Sequence, residues 1–571
     1  MRIVSVKILG DNFRSLKANK LYEFYNSEST ERLAPKVFAG LNGSGKSNFL
    51  ELFSEIFYYL ELYHFPSASE EDREGAGFGF EIQYILPLMD IIAGGYTGQE
   101  SVLVNINKPL NEHPEFAFRN LDADSFSRVD YTGFNGETLN LLPKRMIAYT
   151  SGQNELLSNP YYKIRYHYFK SLEDDTSAPE KSIIDKNRLF FLDYDSNFSI
   201  FIANMLMAEI HNLEYLKKVL AVKELESFRI TLNLQNYKKN YIKLNYRLNK
   251  ELERLKFCAT TWFEDKNEDL ETKQIILDYK VNEATKAAFK FHFKNPFELF
   301  KTFYELDTLN LHLVPVRTRQ LILNAHKSLN LSDEMPKPDP SNLVFRIEKI
   351  IVDKIIDEEN STRKIYYKAL SDGEHQFSQV IGSVLMMEEA GCLFLFDEPN
   401  THFNPKWRAK MISILNRITA DSFDYQNQVK KVRQQEIIIT THSPFIISDS
   451  IKENVYKFEN GAFTKPKYQT YGSSINFLLE SIFDRDISIS DFSNNELNKL
   501  KDGIRTRVDL QYAKEELLNF GESIEKFDAY SFLLEKEKEL DELDEEDEED
   551  DEDEDEIDGY DSFGDDDLQL Q

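Results

Sequence analysis

Apolar residues recur along the chain with two spacings, and the spacing predicts which segments are strands and which are helices. Extended apolar runs at residues 3–8 and 36–39 are followed by a turn-rich segment at 40–47. Residues 48–62 then carry an apolar stripe at helical spacing, formed by Phe49, Leu50, Phe53, Ile56, Phe57 and Leu60. The pattern predicts a strand, a loop and a helix in succession.

The same alternation returns later in the chain. It predicts strands at residues 145–150, 392–396 and 436–440, and a helix that begins near Ser371. Short apolar runs that alternate with helices indicate a mostly parallel sheet covered by helices on both faces. The predicted fold class is therefore α/β.

Residues 171–364 interrupt this pattern with long stretches rich in Lys, Asn and Leu. Leu244, Leu248, Leu252 and Leu255 suit one buried helical face, over a span too short for a long coiled-coil arm. We predict a mainly helical inserted region here. The predicted divisions are two head parts at 1–170 and 365–475, the insertion at 171–364, a helical region at 476–540, and a disordered acidic tail at 541–571.

The net charge of −31 is concentrated at one end of the sequence. Residues 541–571 contain 20 acidic residues and neither Lys nor Arg. Like charge at this density predicts disorder, because the segment repels itself and has little to bury. Two roles for the tail remain open: a solvated segment that aids solubility, or a mimic of nucleic acid that occupies a basic surface of this protein or of a partner.

Composition also bears on location and on the cysteines. No run approaches the ~18 consecutive apolar residues of a membrane span, and no signal pattern is visible, so we expect a cytoplasmic protein without membrane contact. Cys258 and Cys392 sit in apolar surroundings, which predicts buried thiols and no disulfide framework.

The segment from Gly40 to Ser47 reads GLNGSGKS and matches the phosphate-binding loop pattern G-x-x-x-x-G-K-[ST]. Glycines let the backbone N–H groups turn towards phosphates, and the next helix offers its positive N-terminus to the same anion. Lys46 is predicted to reach the β- and γ-phosphates of ATP, and the Ser47 hydroxyl to coordinate Mg²⁺. The predicted nucleotide contacts here are Gly40, Asn42, Gly43, Ser44, Gly45, Lys46, Ser47 and Asn48.

The run from Leu393 to Glu398 is an apolar strand that ends in two carboxylates. Such a strand holds Asp397 close to the metal ion. The adjacent Glu398 is placed to polarise the attacking water as a general base. ATP and Mg²⁺ are therefore the predicted cofactors.

The segment LSDGE at residues 370–374 resembles the LSGGQ signature of the ABC/SMC/RecF-type ATPases, a superfamily that includes AAA_21- and OLD-like proteins. The resemblance implies that Ser371 and Gly373 contact the γ-phosphate of ATP held by a second copy of the chain. A homodimer that encloses two ATP molecules is the implied active form. Asp372 and Glu374 depart from the signature, which leaves the contact of Glu374 open.

Further segments resemble other parts of that superfamily. TTHSP at 440–444 is similar to its switch histidine, so His442 is expected to sense the γ-phosphate. SGQ at 151–153 resembles the loop whose glutamine contacts Mg²⁺ and the attacking water, which makes Gln153 a catalytic and metal-site candidate. His402 lies at the D-loop position, where it either communicates across the dimer or caps a helix. Arg14 lies in an NFR segment and is either near the nucleotide or on the surface.

The phrases GLNGSGKSNFLE, IAYTSGQNELLSNP and FLFDEPNTHFNP most resemble the PtuA ATPases of Septu and retron anti-phage systems. The resemblance implies an HNH nuclease partner (PtuB-like) and, in the retron version, a reverse transcriptase with its RNA–DNA hybrid. One alternative is a RecF-like DNA-repair ATPase that clamps duplex DNA, which the acidic balance and the absence of a Lys/Arg-rich stripe disfavour. A second alternative is a scaffold with a vestigial ATP site, which intact Lys46, Asp397, Glu398 and His442 disfavour.

Overall fold

The chain divides into two compact units, Met1–Ser473 and Ser474–Gln571. Among the described residues, no helix combines the length and apolar character needed to cross a bilayer. The computed structural model describes residues 1–24, 34–66, 68–75, 77–87, 101–131, 137–152, 155–174, 187–235, 241–267, 271–324, 331, 335, 338–357, 361–420, 433–485 and 488–555.

The strands of the described residues belong to the first unit. They are β1 Arg2–Leu9, β2 Leu21–Glu23, β3 Lys36–Ala39, β4 Gly79–Pro87, β5 Ser101–Lys108, β6 Glu115–Asn120, β7 Ser127–Val129, β8 Met146–Thr150, β9 Leu189–Phe191, β10 Val222–Asn233, β11 Thr261–Lys266, β12 Thr272–Lys280, β13 Phe345–Ile355, β14 Thr362–Tyr366, β15 Leu393–Asp397, β16 Glu436–Thr441, β17 Val455–Glu459 and β18 Ala462–Thr464.

Helices occur in both units. Those of the first unit are α1 Lys46–Tyr63, α2 Glu70–Glu74, α3 Asn159–Asp174, α4 Ser196–Met207, α5 Ile210–Leu220, α6 Tyr246–Cys258, α7 Glu283–His292, α8 Pro296–Asp307, α9 Val316–Asn324, α10 Asp372–Met386, α11 Pro405–Arg408, α12 Met411–Ile418 and α13 Pro444–Ser448. Those of the second unit are α14 Ile475–Phe483, α15 Asp491–Asp502, α16 Arg507–Leu517 and α17 Ile524–Asp555.

A seven-stranded sheet positions the predicted motifs. Its order is β18-β17-β3-β16-β15-β8-β9, and every neighbouring pair is parallel except β17 and β18. The mostly parallel α/β arrangement predicted from the sequence is thus confirmed for this sheet. Because the strands are parallel, the carboxyl ends of β3, β8, β15 and β16 lie at the same edge, where ligands bind in such sheets.

Two further sheets are antiparallel, with orders β2-β1-β4-β5-β6-β7 and β11-β12-β10-β13-β14. Most strands of the second sheet lie in residues 171–364, so the mainly helical expectation for that region omits them, although helices α4–α9 also lie there. Helix α6 confirms the predicted helix there. The signal that was missed is the strict alternation of buried Ile275, Leu277 and Tyr279 in β12, which is the period of a strand with one buried face.

Aromatic rings fill the space between helix α1 and the parallel sheet. Phe49 of α1 packs with its ring centroid 5.8 Å from that of Phe38 in β3 and 5.5 Å from that of Phe458 in β17. Phe38 and Phe49 are fully buried. Such ring pairs, at centroid distances of ~4.5–7 Å, fix the helix against the sheet and so fix the loop that precedes the helix.

The second unit consists of helices, as predicted for residues 476–540. Its core contains Leu497, Leu510, Ala513, Leu517, Ala529 and Leu533. Helix α17 continues through residues 541–555, the first part of the segment for which the sequence predicts disorder. Glu is a good helix former and extension of an existing helix adds one hydrogen bond per residue, which favours this continuation. Residues 556–571 of the predicted tail lie outside the described residues.

A buried ion pair lies within the parallel sheet, and its carboxylate also accepts a hydrogen bond from strand β1 of the neighbouring antiparallel sheet. Lys36 Nζ lies 2.7 Å from Glu436 Oε2, and the two side chains are 3% and 4% exposed. The same Glu436 oxygen accepts a 2.8 Å hydrogen bond from the backbone N–H of Ile3. A carboxylate in this position depends on its cation, since water does not reach it.

We expect Lys36→Met to lower the free energy of unfolding by about 3–5 kcal/mol, because it leaves the Glu436 carboxylate buried and uncompensated. The measurement is urea unfolding of the full chain. Lys364→Met is the matched control: its 2.6 Å pair with Glu226 is solvent-exposed, so its loss should cost only about 0–1 kcal/mol. Equal effects of the two substitutions would contradict the role given to the buried pair.

Candidate functional site

The predicted phosphate loop and the carboxyl ends of three parallel strands enclose one cleft of about 410 Å³. Its lining comes from four separate stretches of the chain, which only the sheet brings together. The lining residues are Asn42, Gly43, Ser44, Gly45, Lys46, Ser47, Asn48, Thr150, Ser151, Gly152, Asp397, Glu398, Thr401 and His442.

Backbone conformation in the loop requires glycine. Gly40, Gly43 and Gly45 have φ of 143°, 77° and 104°, in the left-handed region that side chains disfavour. A Cβ on Gly40 would also lie 2.6 Å from the Phe458 carbonyl oxygen. The loop ends at Lys46, the first residue of α1, so the unpaired N–H groups of that helix face the cleft. This arrangement suits a phosphate group.

Lys46 extends back across the loop. Its Nζ donates to the carbonyl oxygens of Gly40 at 2.9 Å and Leu41 at 3.0 Å, and lies 3.2 Å from His442 Nε2. Burial lowers the pKa of Lys46, although the carboxylates of Glu398 and Asp397 act in the opposite direction. A phosphate that enters the cleft would give Lys46 a negatively charged partner in place of two uncharged carbonyl oxygens. Hydrogen bonds to a charged acceptor are stronger, so this exchange favours phosphate binding.

Asp397 is surrounded by hydroxyl groups from three different segments. Its Oδ1 accepts from Ser47 at 2.8 Å and from Thr440 at 2.5 Å. Its Oδ2 lies 3.4 Å from the Thr150 hydroxyl oxygen. A carboxylate beside a serine hydroxyl is the oxygen donor set that Mg²⁺ prefers, so Ser47 and Asp397 would hold a magnesium ion that neutralises charge on a bound phosphate.

Glu398 is held in an unusual conformation. Its φ is 50°, and its N–H donates to the Thr440 hydroxyl at 3.0 Å. Burial raises its pKa to about 7, and the neighbouring Asp397 charge acts in the same direction. Its Oε1 is buried and accepts no hydrogen bond from the described residues, although it lies 3.4 Å from His442 Nε2. A carboxylate oxygen that accepts no hydrogen bond from the protein suits a general base that orients a water molecule.

His442 faces the same space from the end of β16. Burial, followed by the positive charge of Lys46, lowers its pKa to about 4. Its ring is therefore neutral near pH 7. A neutral imidazole can donate one hydrogen bond to a phosphate oxygen or accept one from Lys46, according to its tautomer.

The signature segment lies at the start of α10 and is not among the residues that line this cleft. Ser371 caps the helix in a reciprocal capping box with Glu374, whose Oε2 accepts from the Ser371 N–H at 2.9 Å. Although burial opposes it, hydrogen bonds from Lys354 and Ser371 lower the pKa of Glu374. Glu374 thus makes contacts within its own chain, and Ser371 remains exposed at the helix N-terminus.

The D-loop position packs directly on the signature helix. A Cβ on Gly373 would lie 2.6 Å from the His402 carbonyl oxygen, so only glycine fits there. The His402 N–H donates to Gln376 Oε1 at 2.9 Å, and Gln376 Nε2 donates to the Tyr149 hydroxyl at 3.0 Å. The capping role suggested for His402 is wrong, because the following helix is capped by Asn404.

Two remaining candidates are not among the described residues that line the cleft. Gln153 lies outside the described residues, although the preceding Ser151 and Gly152 line the cleft. Arg14 forms a two-pronged contact with Glu51 of α1, with a 2.7 Å ion pair, and is absent from the lining. Sequence reasoning overlooked Thr150 and Thr440, whose hydroxyls contact Asp397. The TTHSP motif contains Thr440, but only strand register reveals its contacts.

Comparison with known proteins supports an ATPase. Residues 245–448 match a family model described as AAA domain, putative AbiEii toxin, Type IV TA system. The matched span includes Asp397, Glu398 and His442. Both similarities found support an ATPase. The second is to the Retron Ec83 probable ATPase of Escherichia coli, which is 23% identical over 238 residues, covering 38% of this chain and 38% of that protein.

The raised pKa of Glu398 makes a prediction that needs no nucleotide. A folded-state pKa of about 7, above the ordinary 4.5, means that stability is lost as pH rises through 7. Glu398→Gln removes this ionisation. The variant should therefore gain stability over the wild type as pH rises from 4.5 to 8, by up to about 3 kcal/mol at ~1.4 kcal/mol per pKa unit.

Urea unfolding of both proteins across that pH range measures the difference. A stability difference that does not change with pH would show that Glu398 is already ionised at low pH in the folded protein.

Proposed function

We propose that the chain is a Mg²⁺-dependent ATPase that hydrolyses ATP between two copies of itself and serves as the regulatory ATPase of an anti-phage defence system. The observation that carries the ATPase part is the convergence of Lys46, Ser47, Asp397, Glu398 and His442 on one cleft. The sheet edge, the loop glycines and the buried carboxylate all suit one reaction: transfer of a phosphoryl group to water.

Each residue has a distinct task in this reaction. The loop N–H groups and Lys46 bind the phosphates of ATP and neutralise charge that develops on them. Ser47 and Asp397 would hold Mg²⁺, which supplies further neutralisation at the phosphate oxygens. Ionised Glu398 accepts a hydrogen bond from the attacking water and orients it. Neutral His442 donates to the γ-phosphate and so reports its presence, and Gln153, assigned from its motif alone, would contact the metal ion and the water.

The proposal of a dimer rests on the separation between the cleft and the signature. Ser371 and Gly373 are not lining residues of the cleft of their own chain, yet Ser371 is exposed at the N-terminus of the 15-residue helix α10. A helix N-terminus with a free surface suits an anion. In the proposed dimer, this end of each chain meets the γ-phosphate bound to the other.

The defence role rests on resemblance. The chain is similar over part of its length to a protein named as a probable retron ATPase. The description of the matched family model includes a putative toxin. We propose a Septu- or retron-type system of the PtuA kind, with an HNH nuclease as partner and, in the retron version, a reverse transcriptase with its RNA–DNA hybrid. The ATPase would restrain or trigger that nuclease.

The dimer can be tested in the Glu398→Gln background, which should bind ATP without hydrolysing it. With Mg-ATP, light scattering should give twice the 66.8 kDa mass of the chain. Adding Ser371→Arg should return the protein to a monomer while ATP binding is kept, because the added side chain blocks the helix N-terminus.

Ser69→Arg is the matched control, since Ser69 also caps an exposed helix through a capping box but lies outside the signature. It should leave the dimer intact. A dimer that persists in the Ser371→Arg variant would rule out the proposed interface.

The defence role is tested by expressing tagged Glu398→Gln together with its neighbouring genes and purifying it in ATP. We expect an HNH nuclease to purify with it, with or without a reverse transcriptase and its nucleic acid. Duplex DNA retained by a dimer without such partners would favour the RecF-like repair ATPase instead.

A further inference from the structure

A second cleft, of about 550 Å³, lies between helix α5 and the pair of helices that follow the D-loop position. Its volume is within the ~300–1,000 Å³ of sites that bind small organic ligands. None of its residues belongs to the ATP site. It is lined by Glu214, Tyr215, Lys218 and Val219 on one side and by Lys406, Trp407, Lys410, Ile414 and Arg417 on the other.

The lining is strongly basic, in contrast to the acidic chain as a whole. It contains four cations and one carboxylate, that of Glu214. Within the part of the chain that the structure describes, none of Lys218, Lys406, Lys410 and Arg417 makes an ion pair. Four positive charges that line one cleft with a single carboxylate repel one another, so the cleft favours an anion that neutralises them.

Two aromatic rings lie among these cations. Tyr215 has the Arg417 guanidinium 5.0 Å from its ring centroid. Trp407 is partly exposed in the cleft. Aromatic faces beside Lys and Arg are the combination that binds nucleotides, because the base stacks on the ring while the cations contact the phosphate.

We propose that this cleft binds a nucleoside phosphate, either as a free nucleotide or within a single strand of nucleic acid. The phosphate lies among Lys218, Lys406, Lys410 and Arg417, and the base stacks on Trp407 or Tyr215. A ligand that carries charge alone uses only half of this lining.

The cleft is also connected to the signature. The Trp407 ring packs 5.3 Å from that of Phe377 in α10 and 6.0 Å from that of Phe403. It also lies 3.9 Å from the position of a Cβ on Gly373. A ligand stacked on Trp407 therefore contacts a residue that packs against the helix capped by Ser371. For this reason, we expect the ligand also to change the rate of ATP hydrolysis. This second step rests on the proposed ATPase function.

The two tryptophans of the chain allow a direct test. Trp262→Phe leaves Trp407 as the only tryptophan, so its fluorescence reports the cleft. Addition of the single strand dT12 or of dTMP, without ATP, should quench this fluorescence to saturation. Saturation by dTMP at similar concentration per nucleotide indicates a free-nucleotide site, and quenching by dT12 alone indicates a strand.

Lys406→Gln with Lys410→Gln, in the same Trp262→Phe background, should weaken binding at least tenfold. For dT12, the slope of log K against log salt should fall in magnitude by about 1.4, at ~0.7 per phosphate contact in a single strand. Lys290→Gln with Lys294→Gln is the matched control, because it removes two exposed lysines of the same unit that lie outside the cleft. It should bind as the Trp262→Phe protein does.

Three results would overturn the inference: no quenching by either ligand, equal weakening in the control pair, or equally tight binding of a poly-glutamate peptide. ATP hydrolysis is measured separately with and without dT12. Quenching with an unchanged rate supports the site and overturns its link to the signature. Absence of ATP hydrolysis in the wild-type protein, with quenching intact, would count against the proposed function alone.

Discussion

Strand register around Asp397 is the constraint on which the candidate site depends. In the parallel sheet, Asp397 of β15 is paired with Thr440 of β16 on one side and with Thr150 of β8 on the other. Both neighbours have hydroxyls directed at the same carboxylate, and Ser47 of the phosphate loop adds a third. A shift of one residue in either pairing would turn these side chains to the opposite face.

The conformation of Glu398 follows from the same register. A left-handed non-glycine residue costs about 1–3 kcal/mol, so it persists only where the surroundings enforce it. Here the Thr440 hydroxyl donates to Asp397 and accepts from the Glu398 N–H, so one buried side chain orients both carboxylates. The result is that Asp397 and Glu398, adjacent in sequence, have different environments. Asp397 is surrounded by donors, whereas Glu398 has a raised pKa and a buried oxygen that accepts no hydrogen bond from the described residues. Two carboxylates with separated properties suit separate roles in one reaction.

The sequence predicts the parts of this site that depend on local pattern. The phosphate loop, the strand ending in Asp397 and Glu398, and the helix beginning at Ser371 are each encoded within about ten residues, and the structure has them where expected. The contacts of Thr150 and Thr440 with Asp397 are not predictable in this way, because they require knowledge of which strands are neighbours. The sheet that contains β10, β12 and β13 was missed because a composition rich in Lys and Asn concealed a clear alternation in β12. His402 illustrates the reverse case, since its position near a helix start suggests a cap, yet Asn404 has the better position.

The net charge of the chain likewise does not show where charges cluster on the surface of the fold. The sequence shows no basic stripe, and the acidic balance disfavours contact with nucleic acid. Three of the four cations of the second cleft lie within residues 406–417, whereas Lys218 comes from a segment almost 200 residues away, so the sequence alone does not reveal the complete cluster. Charges on the surface are screened beyond about 8–10 Å at physiological salt, so a ligand that enters the cleft interacts chiefly with the four cations that line it. The acidic remainder of the chain still opposes the approach of long duplex DNA. The combination selects for a small or single-stranded anion that can also stack on a ring, which is a narrower specificity than a uniformly basic protein would have.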